Sequence, residues 1–371
     1  MHIPVISPIV KNLLRIASFA IYFLTLLSVY GGRVNPEYVT LPAVMCLAAQ
    51  WLVMLTLVIS IIWIICRKYI TGAAGLGTLI LCWSTISVLT PFNLPRSPQP
   101  GAKTFTLMSW NVIHGWDQKQ EGPTKQIGNP SFDYIRDSGA DIVCLQEVRH
   151  LKSSEIPDFT PARQKELYKI YPYQAGIPEI DNKVLSKYPV EVIPASRFIN
   201  ESYDKNRYTF YKVNIEGHPV TLVNVHLMSP ILSNEERNVL TDADNIEGAK
   251  ESFEDVKNTI WGKLKKSFRL RKKHAEVLRR ALDKIEGPVI VCGDFNDVPQ
   301  SYAYRIIRGA DLRDAYGDAG FGPLVTFNKH KFWFHIDQIL YRGPMKALTI
   351  DKGRLKNSDH YPVKATFEFT N

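Results

Sequence analysis

Val289 to Pro299 reads VIVCGDFNDVP, and the fold follows from how this stretch is read. Two valines, an isoleucine and a cysteine make a short apolar run of the kind found in strands buried on both faces. The run stops at Gly293, with Asp294, Asn296 and Asp297 directly beyond it. A buried strand thereby delivers acid and amide groups to a sheet edge, where the strand fixes position and the loop supplies chemistry. The plainer alternative is an Asp/Asn turn, since both residues hydrogen-bond locally in turns. Other stretches favour the first reading. FTLMSWNVIHG (Phe105 to Gly115) ends on Asn111 and His114, and DIVCLQEV (Asp141 to Val148) ends on Gln146 and Glu147. PVTLVNVHLM (Pro219 to Met228) brings in Asn224 and His226, and Ile336 to Tyr341 carries Asp337, followed by Ser358, Asp359 and His360. One polar constellation accounts for this better than a series of independent turns.

Carboxylates, amides and histidines without a cysteine cluster are hard oxygen and nitrogen groups, which suit Mg²⁺ or Mn²⁺ better than structural zinc. A divalent ion on one or two carboxylates stabilises charge on a phosphate oxygen, while a further Asp activates water and His or Asn donors hold the phosphoryl group. Hydrolysis of a phosphate ester is the natural reading. Covalent catalysis fits less well, because no Ser or Cys stands at a comparable strand end and no Gly-x-Ser-x-Gly occurs.

The ordered set SWN, LQE, NVHL, GDFN, IDQIL and SDHYPV resembles the endonuclease/exonuclease/phosphatase (DNase I-like) superfamily, from about Lys103 to Thr370. The resemblance implies an α/β fold, a four-layer sandwich of two packed mixed sheets flanked by helices. It also implies roles. Glu147 is the principal metal ligand, with Asn111 beside it and Asp359 contributing directly or through water. Asp294 orients or deprotonates the attacking water, and Asn296 supports it as a phosphate contact. His360 binds the phosphate oxygen that becomes charged, with Asp337 accepting its other ring proton. His226 is the second phosphate-binding histidine, and Asn111 also lies within reach of phosphate. A histidine at 226 suits the DNase-like, sphingomyelinase-like and phosphatase-like branches rather than abasic-site endonucleases. Asp181-Asn182-Lys183-Val184 departs from the glycine-containing pattern usual before Leu185-Ser186-Lys187-Tyr188-Pro189, which puts a substrate contact by Asn182 in question.

The first hundred residues are of another kind. Their only basic residues are Lys11, Arg15, Arg33, Arg67, Lys68 and Arg96, and their only acidic one is Glu37. Uncharged stretches run over Ile16 to Gly32, Tyr38 to Cys66 and Tyr69 to Pro95, and a bilayer core needs roughly 20 apolar residues per helix. The expected organisation is a membrane anchor with about three transmembrane helices (1–92), a proline-rich linker (93–102) and a catalytic domain (103–371), with two spans as the alternative. Lys11 and Arg15 then share a side with Arg67 and Lys68, against Arg33, Arg96 and Lys103. That bias favours a cytoplasmic N-terminus and an extracytoplasmic catalytic domain.

More than half of the net charge of +9 lies in that first segment. The remainder is slightly acidic once KLKKSFRLRKK (Lys263 to Lys273) is set aside, so a broad nucleic-acid-binding face is not indicated. Apolar residues from Phe253 and Val256 to Leu282 and Ile285 recur at helical spacing, with Gly262 as a candidate break. Trp261, Leu264 and Phe268 make a stripe beside the basic residues. That stripe suits either a membrane surface or the protein core. His114 is read as a loop hydrogen-bonder, and His274, His330 and His335 as surface or turn histidines. Trp116, Trp333 and Phe334 are read as core, with a cleft wall as the alternative. Arg207 is a lesser candidate for a phosphate contact. The five cysteines fit no disulfide or metal spacing and are read as buried free thiols. The expectation is a membrane-integral, Mg²⁺-dependent phosphoesterase acting on a lipid head group, nucleic acid or small phosphoester. A DNase-like nuclease is the alternative, and a catalytically inactive module is disfavoured because every Glu, Asp and His of the set is present.

Overall fold

The computed structural model describes residues 7–113, 130–148, 160–230, 250–329, 332–355 and 358–370. His114, Trp116 and His330 lie outside the described residues, as do the side chains of Phe253 and Val256.

Two sheets face each other. The first contains β1 (Thr104–Asn111), β2 (Ile142–Gln146), β3 (Tyr173–Gly176) and β4 (Lys183–Ser186). The second begins with β5 (Val190–Ile193), β6 (Tyr208–Ile215), β7 (His218–His226), β8 (Val289–Asp294) and β9 (Arg313–Asp314). A small hairpin, β10 (Phe327–Lys329) with β11 (Phe332–Phe334), precedes β12 (Asp337–Arg342), β13 (Met345–Lys352) and β14 (Val363–Phe369). The orders are β13-β14-β1-β2-β4-β3 and β5-β6-β7-β8-β12-β9. Only β1 with β2 and β7 with β8 run parallel, so each sheet is mixed. The most apolar strands, β2 and β8, are buried at every residue, as a strand covered on both faces must be.

The inner faces interlock through residues such as Leu107, Cys144, Leu222, Cys292, Ile339 and Phe367. Helices Pro130–Asp137 and Pro161–Ile170 cover the outer face of the first sheet through Phe132, Ile135 and Leu167. The long helix Lys250–Leu282 covers the second through Ala275, Leu278 and Leu282. Two mixed sheets flanked by helices are the architecture that the resemblance implies.

Gly262 does not interrupt the long helix. Its basic segment is partly engaged by the protein, with Lys265, Lys266 and Lys273 left exposed. Phe268 is buried, Leu264 lines an internal cavity, and Arg271 is held inside by Asp297 (3.0 Å) and the Met228 carbonyl (2.9 Å). Phe268 thus packs on the protein, while Leu264 is half-buried and Trp261 stays 40% exposed. His274 and His335 are buried rather than superficial. All five cysteines are free, four of them buried and Cys66 exposed.

The N-terminal segment folds into α1 (Pro8–Tyr30), α2 (Leu41–Cys46), α3 (Ala49–Ile65), α4 (Tyr69–Leu81) and α5 (Trp83–Leu89). Three full-length spans are not what forms. Among the described residues, one helical stretch, Pro8–Arg33, is long and apolar enough to cross a membrane. The second uncharged stretch breaks after Cys46, whose carbonyl accepts from the Gln300 side chain, leaving α3 with 17 residues. The third bends by 71° between α4 and α5 at Cys82 and reaches spanning length only if both arms are counted together.

Packing in this segment is inverted relative to the sandwich. Ser18, Thr25, Ser28, Thr56, Ser60 and Thr71 are buried, whereas Leu13, Ile16, Phe23, Leu57, Ile61 and Ile80 are exposed. Thr25 and Thr56 share a hydroxyl hydrogen bond (2.7 Å), and Trp63 donates to Ser18 (2.8 Å). A Cβ on Gly75 would lie 2.0 Å from Ser60 Oγ, so α3 and α4 approach at a distance that only glycine permits.

The bundle is seated on the sandwich. Arg305 donates to the Gly32 carbonyl (3.0 Å), Arg269 to the Glu37 carbonyl (2.8 Å) and Asn93 to the Gly317 carbonyl (2.9 Å). The proline-rich stretch is tied down as well, with Arg96 N donating to Leu348 O (3.2 Å) and Gln99 N to Glu368 Oε2 (2.7 Å).

Candidate active site

The pairing of strands brings the polar residues to one edge. His226, Asp294 and Asp337 form one row across β7, β8 and β12, because His226 pairs with Asp294 and Asp294 pairs with Asp337. On the facing sheet Asn111 pairs with Gln146 at the ends of β1 and β2, and Glu147 follows. Backbone conformation is unusual here. Ile113, Glu147 and Asn296 have φ of 44°, 61° and 50°, in a region that L-residues rarely occupy and that clusters at functional sites. Gly293 has φ 137°, and a Cβ there would lie 2.0 Å from the Val225 carbonyl, so the strand end tolerates no side chain.

Asp294 is the centre. Its Oδ2 accepts from the amides of Asn111 and Asn296 (3.1 Å each), and its Oδ1 accepts from the backbone N–H of Asn296 (2.7 Å). Asn111 Nδ2 also donates to Glu147 Oε1 (2.9 Å), so one amide joins two carboxylates. Two histidines flank them: His226 Nε2 lies 3.5 Å from Glu147 Oε1 and 3.9 Å from Asp294 Oδ2, and His360 Nε2 lies 3.6 Å from Asp294 Oδ2. His360 Nδ1 meets Asp337 Oδ2 at 3.0 Å, which orients the ring. Asp359 Oδ1 stands 3.9 Å from His360 Nε2.

Burial pushes Asp294 up to about 6, with His360 opposing the shift. For His360 burial works against the imidazolium, but the Asp337 and Asp294 carboxylates outweigh it and raise the ring to about 10.

A second group of polar residues lies beneath the site. Gln146 Nε2 donates to Asn224 Oδ1 (2.7 Å), Asn224 Nδ2 to the carbonyls of Leu145 (2.9 Å) and Lys183 (3.1 Å), and Asn182 Nδ2 to Asn224 O (3.1 Å). These buried amides join the two sheets. Asn182 is wholly buried among them, so the side chain works in the framework. Ser358 Oγ donates to Asn111 O (2.8 Å) and accepts from His360 N (3.0 Å), clamping the Asp359–His360 turn onto β1. Arg207 is engaged by Asp204 (2.6 Å).

Glu147, Asp294, Asn296, Asp359 and His360 open into one cavity of about 610 Å³. Its other walls are the β10–β11 hairpin, with Phe334, Trp333 and Lys329, and Leu47, Ala48 and Trp51 of the N-terminal helices. Trp333 and Phe334 thus wall a cleft instead of filling a core.

A family model described as the Endonuclease/Exonuclease/phosphatase family matches residues 108–360. The chain belongs to this family. It is accordingly a hydrolase acting on phosphoester bonds. Among solved structures it is similar to truncated TDP2 from Caenorhabditis elegans, at 21% identity and a TM-score of 0.44, covering 71% of this chain and 98% of that one. An endonuclease/exonuclease/phosphatase from Beutenbergia cavernae DSM 12333 is 20% identical, with 72% of each chain covered and a TM-score of 0.45. ANGEL2, a 2',3'-cyclic phosphatase in complex with adenosine-2',3'-vanadate, is 16% identical over 75% of this chain and 99% of that one, with a TM-score of 0.42. No curated protein matches.

The residues present fit the divalent metal that the family implies. Glu147 and Asp359 supply hard carboxylate oxygens to the same cavity, and Asp359 Oδ1 is buried without a hydrogen-bond partner, which leaves an acceptor to be satisfied. Asn111 turns its nitrogen to the carboxylates while its oxygen accepts from Ile113 N (3.1 Å), so here it bridges carboxylates rather than offering an oxygen. Asp294, Asp337 and His360 also converge, each with a ligand atom within 4.8 Å of the others. Within that trio Nδ1 of His360 is committed to Asp337, which leaves Nε2 as its free ring nitrogen.

Sequence reasoning did not find Lys329, Trp51 or Leu47. Lys329 meets Asp359 (3.3 Å) only through the hairpin fold, and Trp51 and Leu47 belong to a stretch whose apolar character carries no site signal.

Proposed function

We propose that this protein is a membrane-anchored, Mg²⁺-dependent phosphoesterase that hydrolyses a phosphodiester or phosphate monoester by direct attack of water. The observation that carries the reading is the convergence of two metal-type carboxylates, a buried amide-bound aspartate and two histidines on one cavity. Glu147 and Asp359 would hold the metal, which would neutralise charge on the phosphoryl oxygens. Asp294 accepts the proton of the attacking water at Oδ2 while Asn111 and Asn296 fix the carboxylate in place. His360 donates from Nε2 to the phosphoryl oxygen that gains charge, and Asp337 keeps the other ring nitrogen protonated. His226 binds a second phosphoryl oxygen.

Membrane attachment is supported by the inverted packing of α1 to α4, with hydroxyls inside and hydrocarbon outside, which suits lipid and is costly in water. The shorter α3 and the bent α4–α5 pair run beside α1 as further legs of the anchor. Lys11 lies beside Lys68 at the end remote from the sandwich, so the short-loop basic residues favour a cytoplasmic remote end and an extracytoplasmic catalytic domain.

The test uses the full chain in detergent with bis(para-nitrophenyl) phosphate. Turnover is expected with Mg²⁺, with Mn²⁺ as a substitute, and is expected to vanish with a chelator and return when the ion is restored. Equal turnover in chelator would remove the metal from the mechanism.

A further inference from the structure

The cavity that holds the catalytic residues is chemically divided. Its floor is Glu147, Asp294, Asn296, Asp359 and His360, and its opposite half is Leu47, just past the end of α2, and Trp51 of α3, facing Phe332, Trp333 and Phe334 of the hairpin. The rings of Trp51 and Trp333 approach to 6.0 Å between centroids across the mouth, each 46% exposed. Cys46, Val298 and Ile336 with Leu47, Phe327 and Phe334 form one apolar cluster, so the helical wall is continuous with the segments that carry Asp294 and Asp337. The hairpin is in turn tied to the catalytic turn, by Asn328 N to Asp359 O (2.8 Å) and by the Phe327 ring against that of His360 (5.0 Å).

We infer that the N-terminal helices complete the substrate site, and that the substrate is a phosphoester carrying a hydrocarbon chain, a lipid whose phosphate lies on the polar floor. The inference rests on the phosphoesterase reading and adds the class of the esterified group. Three features support it. The aliphatic part of the apolar half, Val44, Leu47, Ala48 and Ile336, offers no stacking face to a nucleobase, whereas a hydrocarbon chain gains by burying it. The outward faces of α3 are themselves apolar, with Leu55, Val58, Ile61 and Ile62 exposed, so the slot borders a surface built for hydrocarbon. The two basic residues that line the cavity among the described residues are already paired, Lys329 with Asp359 and Arg271 with Asp297, leaving little free positive charge for a polyanionic strand. The paired tryptophans suit the level of the lipid head groups, where indole rings concentrate.

The test keeps one leaving group and varies the other ester. The full chain in mixed micelles of an uncharged detergent is given methyl, octyl and dodecyl para-nitrophenyl phosphate with Mg²⁺, and kcat/KM is measured for each. It is expected to rise by about tenfold or more from methyl to dodecyl. Because longer chains also partition into micelles, the decisive quantity is the dodecyl-to-methyl ratio in variants. Ala48→Trp, which narrows the slot, and Leu47→Ala should collapse that ratio, while Ile61→Ala on the outer surface of α3 should keep it. A ratio unchanged in Ala48→Trp and Leu47→Ala, or one lowered equally by Ile61→Ala, overturns the slot. Faster cleavage of oligonucleotides than of the dodecyl ester assigns the site to nucleic acid and overturns the lipid. If none of the three esters is hydrolysed, the phosphoesterase reading falls, and the inference with it.

Discussion

Replacing Asp294 with Asn keeps the side chain's shape among Asn111, Asn296 and His360 while removing its charge. If Asp294 takes the proton of the attacking water, Asp294→Asn lowers kcat by about 10²-fold or more, the scale of loss when one charge-stabilising group is deleted. The fold should not suffer, since burial opposes the charged form of Asp294 in the folded protein. The paired readout is turnover of bis(para-nitrophenyl) phosphate with the thermal unfolding midpoint. Near-normal turnover in a folded Asp294→Asn protein would sink the proposed role. His360→Asn should resemble it in kcat, because the donor at Nε2 and the Asp337 contact at Nδ1 disappear together.

At the scale of elements, the long helix Lys250–Leu282 does two things. Its Arg271 is buried against Asp297, next to the GDFN loop, and thereby fixes the loop that presents Asn296. Three residues on, His274 is buried beside Asp204 and Arg207, and burial, with Arg207, Arg271 and Lys273 adding to it, pushes the ring down to about 4. The sign follows from linkage. A histidine depressed in the folded state binds fewer protons there than when unfolded, so its contribution to stability is complete above the unfolded value near 6.5. That contribution is lost as pH falls from there toward 4, by up to about 1.4 kcal/mol per pH unit. His335, pushed by burial down to about 3, acts in the same direction. His274→Gln is therefore expected to flatten the pH dependence of the unfolding midpoint between pH ~6.5 and ~4 relative to the unaltered protein. Parallel curves for the two proteins would show that His274 does not report on folding.

At the scale of the whole molecule, the membrane attachment proposed above has a topology that labelling can count. The N-terminal segment presents one helix of full spanning length, one 17-residue helix and one bent pair, packed through small and hydroxyl residues. If all three legs cross, the two ends of the chain face opposite compartments. Cysteine-free protein carrying one introduced cysteine before Pro8 or after Phe369 should then react with an impermeant maleimide from opposite sides of sealed vesicles. Labelling of both from the same side would mean an even number of crossings and would move the catalytic domain to the other compartment.

The sequence by itself determined the family and the composition of the site. A buried strand must end where its apolar run ends, so VIVC and IVCL place Asp294 and Glu147 at sheet edges in any fold that buries them. Asn111, His226, Asp337 and His360 follow by the same logic. The apolar character of the first hundred residues was equally legible, because charge is nearly absent there. Register decided what lay beyond this. A pairing of Asp294 with both His226 and Asp337 is a property of three strands together, and no single strand contains it. Tertiary packing also separated the amides, keeping Asn111 and Asn296 at the site while burying Asn224, Gln146 and Asn182 between the sheets. It shortened the second apolar stretch by drawing the Cys46 carbonyl onto Gln300, and it turned Phe268 inward where periodicity left its direction open. Most of all, it set Leu47 and Trp51 against the hairpin aromatics, a contact between residues nearly three hundred positions apart that no local pattern can encode.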